Sequence, residues 1–421
     1  MRTFERLESE VRSYSRDFPV VFDRASGPFL YDVDGRRYID FFCGAGALNY
    51  GHNEPRMKQA LVEYLLADGV THSLDMATRA KAAFLERFES VVLAPRGTDY
   101  KVQFTGPTGA NGVEAALKLA RKVTGRSNIV AFTRAYHGLS LGALAVTANS
   151  RYRHEAFVNR ADVSFVPFEG YFGPEVDTLP YLRRLLEDDS SGVDRPAAVI
   201  LETIQAEGGI NVASPRWLQG VQALCRELGI LLIVDDIQVG CGRSGTFFSF
   251  EAAGLDPDLV VLSKSISGYG LPMSLLLIRP SLDQWRPGEH TGTFRGNNAA
   301  FVTAAEALRY WEDAEFGVQL ARTSAVLETG LTKMQQAFGD LQLEIRGRGL
   351  VFGLESNRPD VNAKAAEESF KRGLIIETCG STRNVLKFLP PLNIPHDVLQ
   401  EGLAILEQSL AAVAGSSAVN T

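Results

Sequence analysis

The chain has 421 residues, a formal net charge of −7 and 45% hydrophobic residues, which is ample material for a large core and sets a prior of two to three domains. The mild acidity excludes the clustered basic footprint of a nucleic-acid binder, and no apolar run approaches the roughly eighteen residues needed to span a bilayer. The start, MRTFERLESEVRSYSRDF, has no signal-peptide core, the four cysteines form no CxxC pair and the six histidines form no HExxH motif, so a cytoplasmic protein with reduced thiols and no metal site is expected.

GPFLYDVDGRRYIDF (27–41) sets Asp34-Gly35 between two strand-like runs, the pattern of a hairpin with a tight turn. FCGAGALNYGHNEP follows as a loop of small residues. From there helix-like stretches, such as 56–66 and 113–123, alternate with short β-rich runs. These are KVQFT (101–105), NIVAF (128–132), VSFVPF (163–168), AAVILE (197–202), ILLIVDD (230–236), DLVVLSK (258–264) and SLLLIR (274–279). Strands apolar on both faces, separated by helices, predict a mostly parallel sheet covered on both sides. A long helical stretch over 301–338 then leads to EIRGRGLVFGLES, LIIETCG and VLKFLPPL, the makings of a smaller α+β unit. The expected division is an N-terminal segment (1–55) that joins the small domain, a large domain (56–300) and a C-terminal small domain (301–421). The tail AAVAGSSAVNT is expected to be disordered.

Ligands of a parallel α/β sheet sit beyond the carboxyl ends of its strands. KVQFT is followed by GPTGANGVEAALKLARK, a small-residue turn feeding a helix. The free N–H groups and dipole of such a junction suit a phosphate, although an ordinary strand–helix turn reads the same way. NIVAF delivers Tyr136 and His137, an aromatic face or ordinary core. AAVILE delivers Glu202, with Glu207 in the loop after it. ILLIV delivers Asp235 and Asp236, and DLVVLS delivers Lys264. A lysine closing an apolar run is partly desolvated, which favours the neutral, nucleophilic amine; the plainer alternative is a side chain that snorkels to water.

Taken together, a phosphate loop, a stacking aromatic, a strand-end aspartate and a strand-end lysine match what pyridoxal 5′-phosphate needs. Asp235 can keep the ring nitrogen protonated, and Lys264 can bond the aldehyde. The rival is GCGRSG (240–245), a literal G-x-G-x-x-G. A dinucleotide loop opens a helix directly after its strand and has an acid about 20 residues on. Here DDIQ intervenes, TFFSFEAAG follows, and Asp258 precedes its strand, so the order is wrong for a nucleotide and turn geometry is the reading of these glycines.

VILETIQAEGG, IVDDIQVGCGRSG, LSKSISGYGLP and HTGTFRGNN in combination resemble the class III (ω-type) pyridoxal-phosphate aminotransferases of fold type I, over most of the chain. FFCGAGALNYGHNEP, QAEGGINVAS and PGEHTGTFRGNN resemble, more narrowly, the branch that moves an amino group between L-glutamate and aspartate 4-semialdehyde in ectoine-type pathways. The resemblance implies a mostly parallel seven-stranded sheet in a large domain, plus a smaller α+β domain. It implies that Lys264 bonds the cofactor and then carries the proton. Asp235 would pair with the ring nitrogen, Tyr136 and Ile237 would cover the ring's two faces, and Gln238 would lie near its 3′-oxygen. Gly109 and Ala110 would hold the phosphate, with Thr293 of a second copy, which implies a homodimer or higher assembly with shared sites. Asp236 falls behind these. Three positions depart from the family: Ala110 replaces a hydroxyl residue, Leu139 replaces an arginine of ornithine-type relatives, and Lys387 replaces the arginine that pairs with the loop glutamate, here Glu207. Glu207 and Lys387 are then the candidates for binding substrate. Other ω-amino acid transaminases (4-aminobutyrate or ornithine type) and an aminomutase remain alternatives.

Overall fold

The computed structural model describes residues 2–154, 157, 162–358 and 360–418, the side chains of 416–418 excepted. The N-terminal segment forms strands β1 (Phe22–Ser26), β2 (Phe29–Asp32) and β3 (Arg37–Asp40). The tight turn between β2 and β3 is closed by the Asp32 carboxylate, which accepts the N–H groups of Asp34 at 3.1 Å and Arg36 at 2.9 Å. The small-residue loop that follows is bent sharply. Cys43, Gly44, Ala45 and Gly46 all have positive φ, between 49° and 83°.

All seven apolar runs become strands of one sheet: β4 (Lys101–Phe104), β5 (Ile129–Phe132), β6 (Val163–Val166) and β7 (Ala198–Leu201), then, after a small ribbon of β8 (Ile204–Gln205) and β9 (Asn211–Val212), β10 (Leu231–Asp235), β11 (Leu259–Leu262) and β12 (Leu275–Ile278). Their spatial order is β4-β12-β11-β10-β7-β5-β6. Every pairing is parallel except the two made by β12, which runs against both neighbours. Strands β5, β7, β11 and β12 are buried along their whole length. Helices cover the faces, among them Gly109–Thr124, where Val113, Ala116, Leu117 and Ala120 repeat at helical spacing and are buried.

The C-terminal part forms β13 (Leu343–Arg348), β14 (Val351–Ser356), β15 (Leu374–Ile375), β16 (Glu377–Cys379) and β17 (Val385–Phe388). β13, β14, β17 and β16 make an antiparallel sheet, while β15 pairs with β3 of the N-terminal segment. Two expectations are corrected. The helical stretch 301–338 is broken into Asn298–Ala307, a 3₁₀ turn Leu308–Trp311 and Ala314–Ala337; the last helix is preceded by its cap Asp313, whose carboxylate accepts the N–H of Glu315. The tail is ordered through residue 418, as the end of helix His396–Ala418. Leu406, Leu410 and Val413 fall one turn apart and are buried, so a small-residue tail is carried by the stripe before it. Residues 419–421 lie outside the described residues.

The glycines of GCGRSG serve a sharp turn. Gly242 and Gly245 have φ of 92° and 101°. The turn lets Arg243 plunge into the core, where it is fully buried. Its guanidinium donates to Asn49 Oδ1 (3.1 and 2.6 Å), to the Leu350 carbonyl (3.1 Å) and to the Pro390 carbonyl. One side chain thereby ties the central sheet's loop to the N-terminal and C-terminal segments.

Candidate active site

Beyond the carboxyl ends of β5, β7, β10 and β11 lies a cavity of about 380 Å³. Each strand aims one group at it. Asp235 is the last residue of β10 and is buried; its Oδ2 lies 2.7 Å from His137 Nδ1, and its Oδ1 accepts the Ile237 N–H at 3.2 Å. Glu202 follows β7, is buried and accepts the Tyr136 N–H at 2.9 Å. Burial, with the Asp235 charge nearby, raises Glu202 well above the usual carboxylate range.

Lys264 stands two residues past β11 in a left-handed conformation, φ 52°, which a non-glycine residue holds only under strain. Its Nζ donates to the Ala45 carbonyl at 2.8 Å. Burial lowers its pKa to about 8, against the opposing pull of Glu207. Gln238 Nε2 donates to the same carbonyl at 2.8 Å and to Glu207 Oε1 at 3.1 Å. The left-handed turn at 43–46 is what delivers that carbonyl.

The helix Gly109–Thr124 opens onto the cavity, and its first N–H groups have no acceptor within the helix. A Cβ added at Gly109 would sit 2.8 Å from Ile237 Cδ1, so the backbone and Ile237 are in close approach. Tyr136, Ile237 and Leu139 also line the space, as does Tyr14 from the N-terminal segment.

Glu207 lines the cavity and is ion-paired to Lys387, which holds the carboxyl down to about 2. Lys387 itself is fully buried and lies behind Glu207, away from the cavity wall. The sequence made both Glu207 and Lys387 candidates for binding substrate; of the two, Glu207 borders the cavity and Lys387 pairs with it from behind. Thr293 is exposed in the 287–297 segment and does not border this chain's own cavity. Asp236 points away, with Oδ2 accepting the Ser249 N–H at 3.0 Å; burial pushes its carboxyl up to about 7.

Sequence reasoning missed three groups. His137 was read as an aromatic face or ordinary core, although its place beside Tyr136 at a strand end was the available signal. Tyr14 carried no signal. Glu377, opposite Lys387 on the neighbouring strand, could have been found by pairing ETC with VLK as antiparallel runs.

The profile of the family described as class-III aminotransferases matches residues 11–410. The chain is 59% identical over 413 residues to the diaminobutyrate–2-oxoglutarate transaminase of Wolinella succinogenes, covering 98% of this chain and 96% of that one. The Bordetella parapertussis protein of the same name is 54% identical over 413 residues, covering 98% and 95%. Among solved structures, the ornithine aminotransferase of Toxoplasma gondii superposes with a TM-score of 0.85 at 26% identity, covering 99% of this chain and 95% of that one. A Bacillus anthracis aminotransferase, at 23% identity and a TM-score of 0.86, shares the fold. The fold is the type I fold of pyridoxal-phosphate transferases. The chain belongs to the class III aminotransferases, and its cofactor is pyridoxal 5′-phosphate.

The cavity fits that cofactor on its own evidence. The Oε1 of Gln238 and the Nε2 of His137 are buried without a hydrogen-bond partner among the described residues. A helix N-terminus, Tyr136 and Ile237, a buried carboxylate and a lysine with its pKa lowered to about 8 surround one space.

Proposed function

We propose that this aminotransferase moves an amino group between L-glutamate and aspartate 4-semialdehyde, giving 2-oxoglutarate and L-2,4-diaminobutyrate. The observation that carries the reading is the run of relatives bearing the diaminobutyrate–2-oxoglutarate name at 51–59% identity over nearly the whole chain. Leu139 at the cavity mouth, in place of an arginine, favours it over an ornithine-type reaction.

When bound, pyridoxal phosphate withdraws electrons from the substrate carbon that carries the amine. The protein's part is division of labour. Lys264 Nζ would hold the cofactor's aldehyde carbon, and the same amine would move a proton at the reacting carbon; its lowered pKa suits a base at neutral pH. Asp235 would hold the ring nitrogen, and His137 fixes that carboxylate through its 2.7 Å contact. Tyr136 and Ile237 would cover the ring faces, Gln238 would lie beside the ring oxygen, and the N–H groups of Gly109 and Ala110 would take the phosphate.

Thr293 completes the phosphate site from a second copy. A cytoplasmic location is supported by four free, buried cysteines. Among the described residues, no helix is long and apolar enough to cross a membrane.

The test is consumption of glutamate with and without added aspartate 4-semialdehyde, alongside 4-aminobutyrate and ornithine as donors. Turnover of glutamate should require the aldehyde. Faster turnover with ornithine or 4-aminobutyrate, or isomerisation without an acceptor, overturns the assignment. Lys264→Ala should leave no cofactor that borohydride can fix to the chain, and an adduct mapped to another lysine refutes its role.

A further inference from the structure

The small-residue turn Cys43–Gly46 is pinned at both ends. At its start stands Asp40, which is buried. Its Oδ1 accepts the N–H groups of Phe42 and Cys43, each at 2.8 Å, and its Oδ2 lies 2.7 Å from His52 Nε2. At its end stands Ser265, the residue after the lysine, also buried. Its Oγ donates to the Gly46 carbonyl at 2.7 Å and accepts the Asn49 N–H at 3.1 Å. Lys264 and Ser265 are neighbours in one 3₁₀ turn, Lys264–Ser267, and they take successive carbonyls of the same distant segment, those of Ala45 and Gly46. Cys43 and Ala45 hold positive φ, a conformation that residues other than glycine keep only where their surroundings impose it.

A carbonyl stabilises an ammonium more than a neutral amine, so a hydrogen bond from Lys264 Nζ to Ala45 favours the charged form of the lysine. The charges that face Lys264 are Glu207, Lys387, Glu377 and Asp235, and they come from other elements, not from the 3₁₀ turn or the small-residue turn. Ser265 carries no charge, so it acts on the amine through the carbonyl it holds in place. Because its hydroxyl grips the turn from the residue next to the lysine, the amine and its acceptor are fastened to one another and move as a unit.

We propose, resting on the assignment of Lys264 as the cofactor's lysine, that Ser265 is a positioning residue for that amine: its hydroxyl fastens the segment 45–49 to the 3₁₀ turn that carries the lysine, and the Ala45 carbonyl is thereby a fixed seat to which Lys264 Nζ returns whenever the amine is free.

The experiment treats the full-length, cofactor-free protein with trinitrobenzenesulfonate and follows modification of Lys264 by mass spectrometry across pH 6 to 10. The reagent takes only the neutral amine, so the midpoint of the profile belongs to the lysine. Weakening its acceptor disfavours the ammonium, and Ser265→Ala should move the midpoint down by about half a pH unit or more. Gln238 still reaches the same carbonyl, so the shift is partial. Ser265→Thr keeps the hydroxyl and should return the midpoint to the parent's. In the cofactor-loaded protein, Ser265→Ala should lower kcat about tenfold with the KM of glutamate nearly unchanged, because the amine is displaced while the groups that line the cavity stay in place. A midpoint that stays or rises in Ser265→Ala, one that falls equally in Ser265→Thr, or a kcat equal to the parent's overturns the proposal. If Ser265→Ala fails to fold, Ser265→Cys, close in shape but weak in hydrogen bonding, takes its place and is read the same way. The labelling reads the amine directly, so its outcome stands apart from the borohydride mapping that tests whether Lys264 bonds the cofactor.

Discussion

Arg243 offers the most direct test of how the cavity is held together. Arg243→Met keeps most of the side chain's volume and deletes its donors. Four hydrogen bonds to three acceptors disappear: two to Asn49 Oδ1 and one each to the carbonyls of Leu350 and Pro390. Each abandoned buried acceptor costs about 1–3 kcal/mol. Against this stands the relief of no longer burying a guanidinium, a group whose desolvation here lowers its pKa to about 10. The net expectation is a loss of about 3–5 kcal/mol, a large share of the roughly 5–15 kcal/mol that a folded protein has in hand. Arg243→Lys keeps a charge but cannot reach three acceptors with one fork, so an intermediate loss is expected. Urea unfolding followed by tryptophan fluorescence is a suitable assay, because Trp311 packs against Gly242 beside the arginine. Asn49→Ala should lose less than Arg243→Met, and the double variant should fall short of the sum, since the two residues are in contact. A midpoint for Arg243→Met within about 0.5 kcal/mol of the parent, beyond the reach of this mechanism, would refute the reasoning.

Ala110→Ser should tighten pyridoxal phosphate about tenfold, the value of one added hydrogen bond to a charged group. Ala110→Thr should gain less, because Gly138 packs so closely that a Cβ there would lie 2.7 Å from the Ala110 Cβ; spectral titration of the cofactor-free protein decides between them, and an unchanged Ser variant means the hydroxyl finds no phosphate. Capture of the cofactor by the cofactor-free protein should speed up about tenfold per pH unit between pH 6 and 8 and level off above, because the Lys264 amine loses its proton at about 8; a flat stopped-flow profile would contradict the nucleophile assignment. His137→Leu leaves Asp235 with the Ile237 N–H as its remaining bond, and should lower the stability of the cofactor-free protein by about 1.5–3 kcal/mol. Added cofactor should narrow that gap in a thermal-shift measurement, and an equal loss with and without it would remove Asp235 from the ring nitrogen.

The central sheet was legible in the sequence because its strands are buried on both faces, so each reads as an apolar run with no competing pattern. The direction of β12 was not legible: SLLLIR has the same character whether it runs up or down, and only its pairing with β4 and β11 reveals the reversal. Asp235 and Lys264 stood out because each ends an apolar run with a charge. Partners drawn from distant segments left no such mark. His137 meets Asp235 across 98 residues, and Asn49 meets Arg243 across 194. Lys387 was noticed for its identity and its pairing with Glu207, but not its place behind that carboxylate, since chain position does not say which side of Glu207 a cation takes. The tail misled because Gly, Ser and Ala look unstructured when read apart from the Leu406–Leu410–Val413 stripe that holds them.

The bond from Lys264 to the Ala45 carbonyl spans 219 residues, and the Glu207–Lys387 pair spans 180 in the other direction. The sheet itself is complete once the ribosome has delivered β12, which ends at Ile278. The backing of the pocket is not. Glu207 has no lysine behind it until β17 emerges and docks, so a nascent chain halted near residue 300 would own the scaffold and the cavity's lining with one carboxylate still lacking its buried cation.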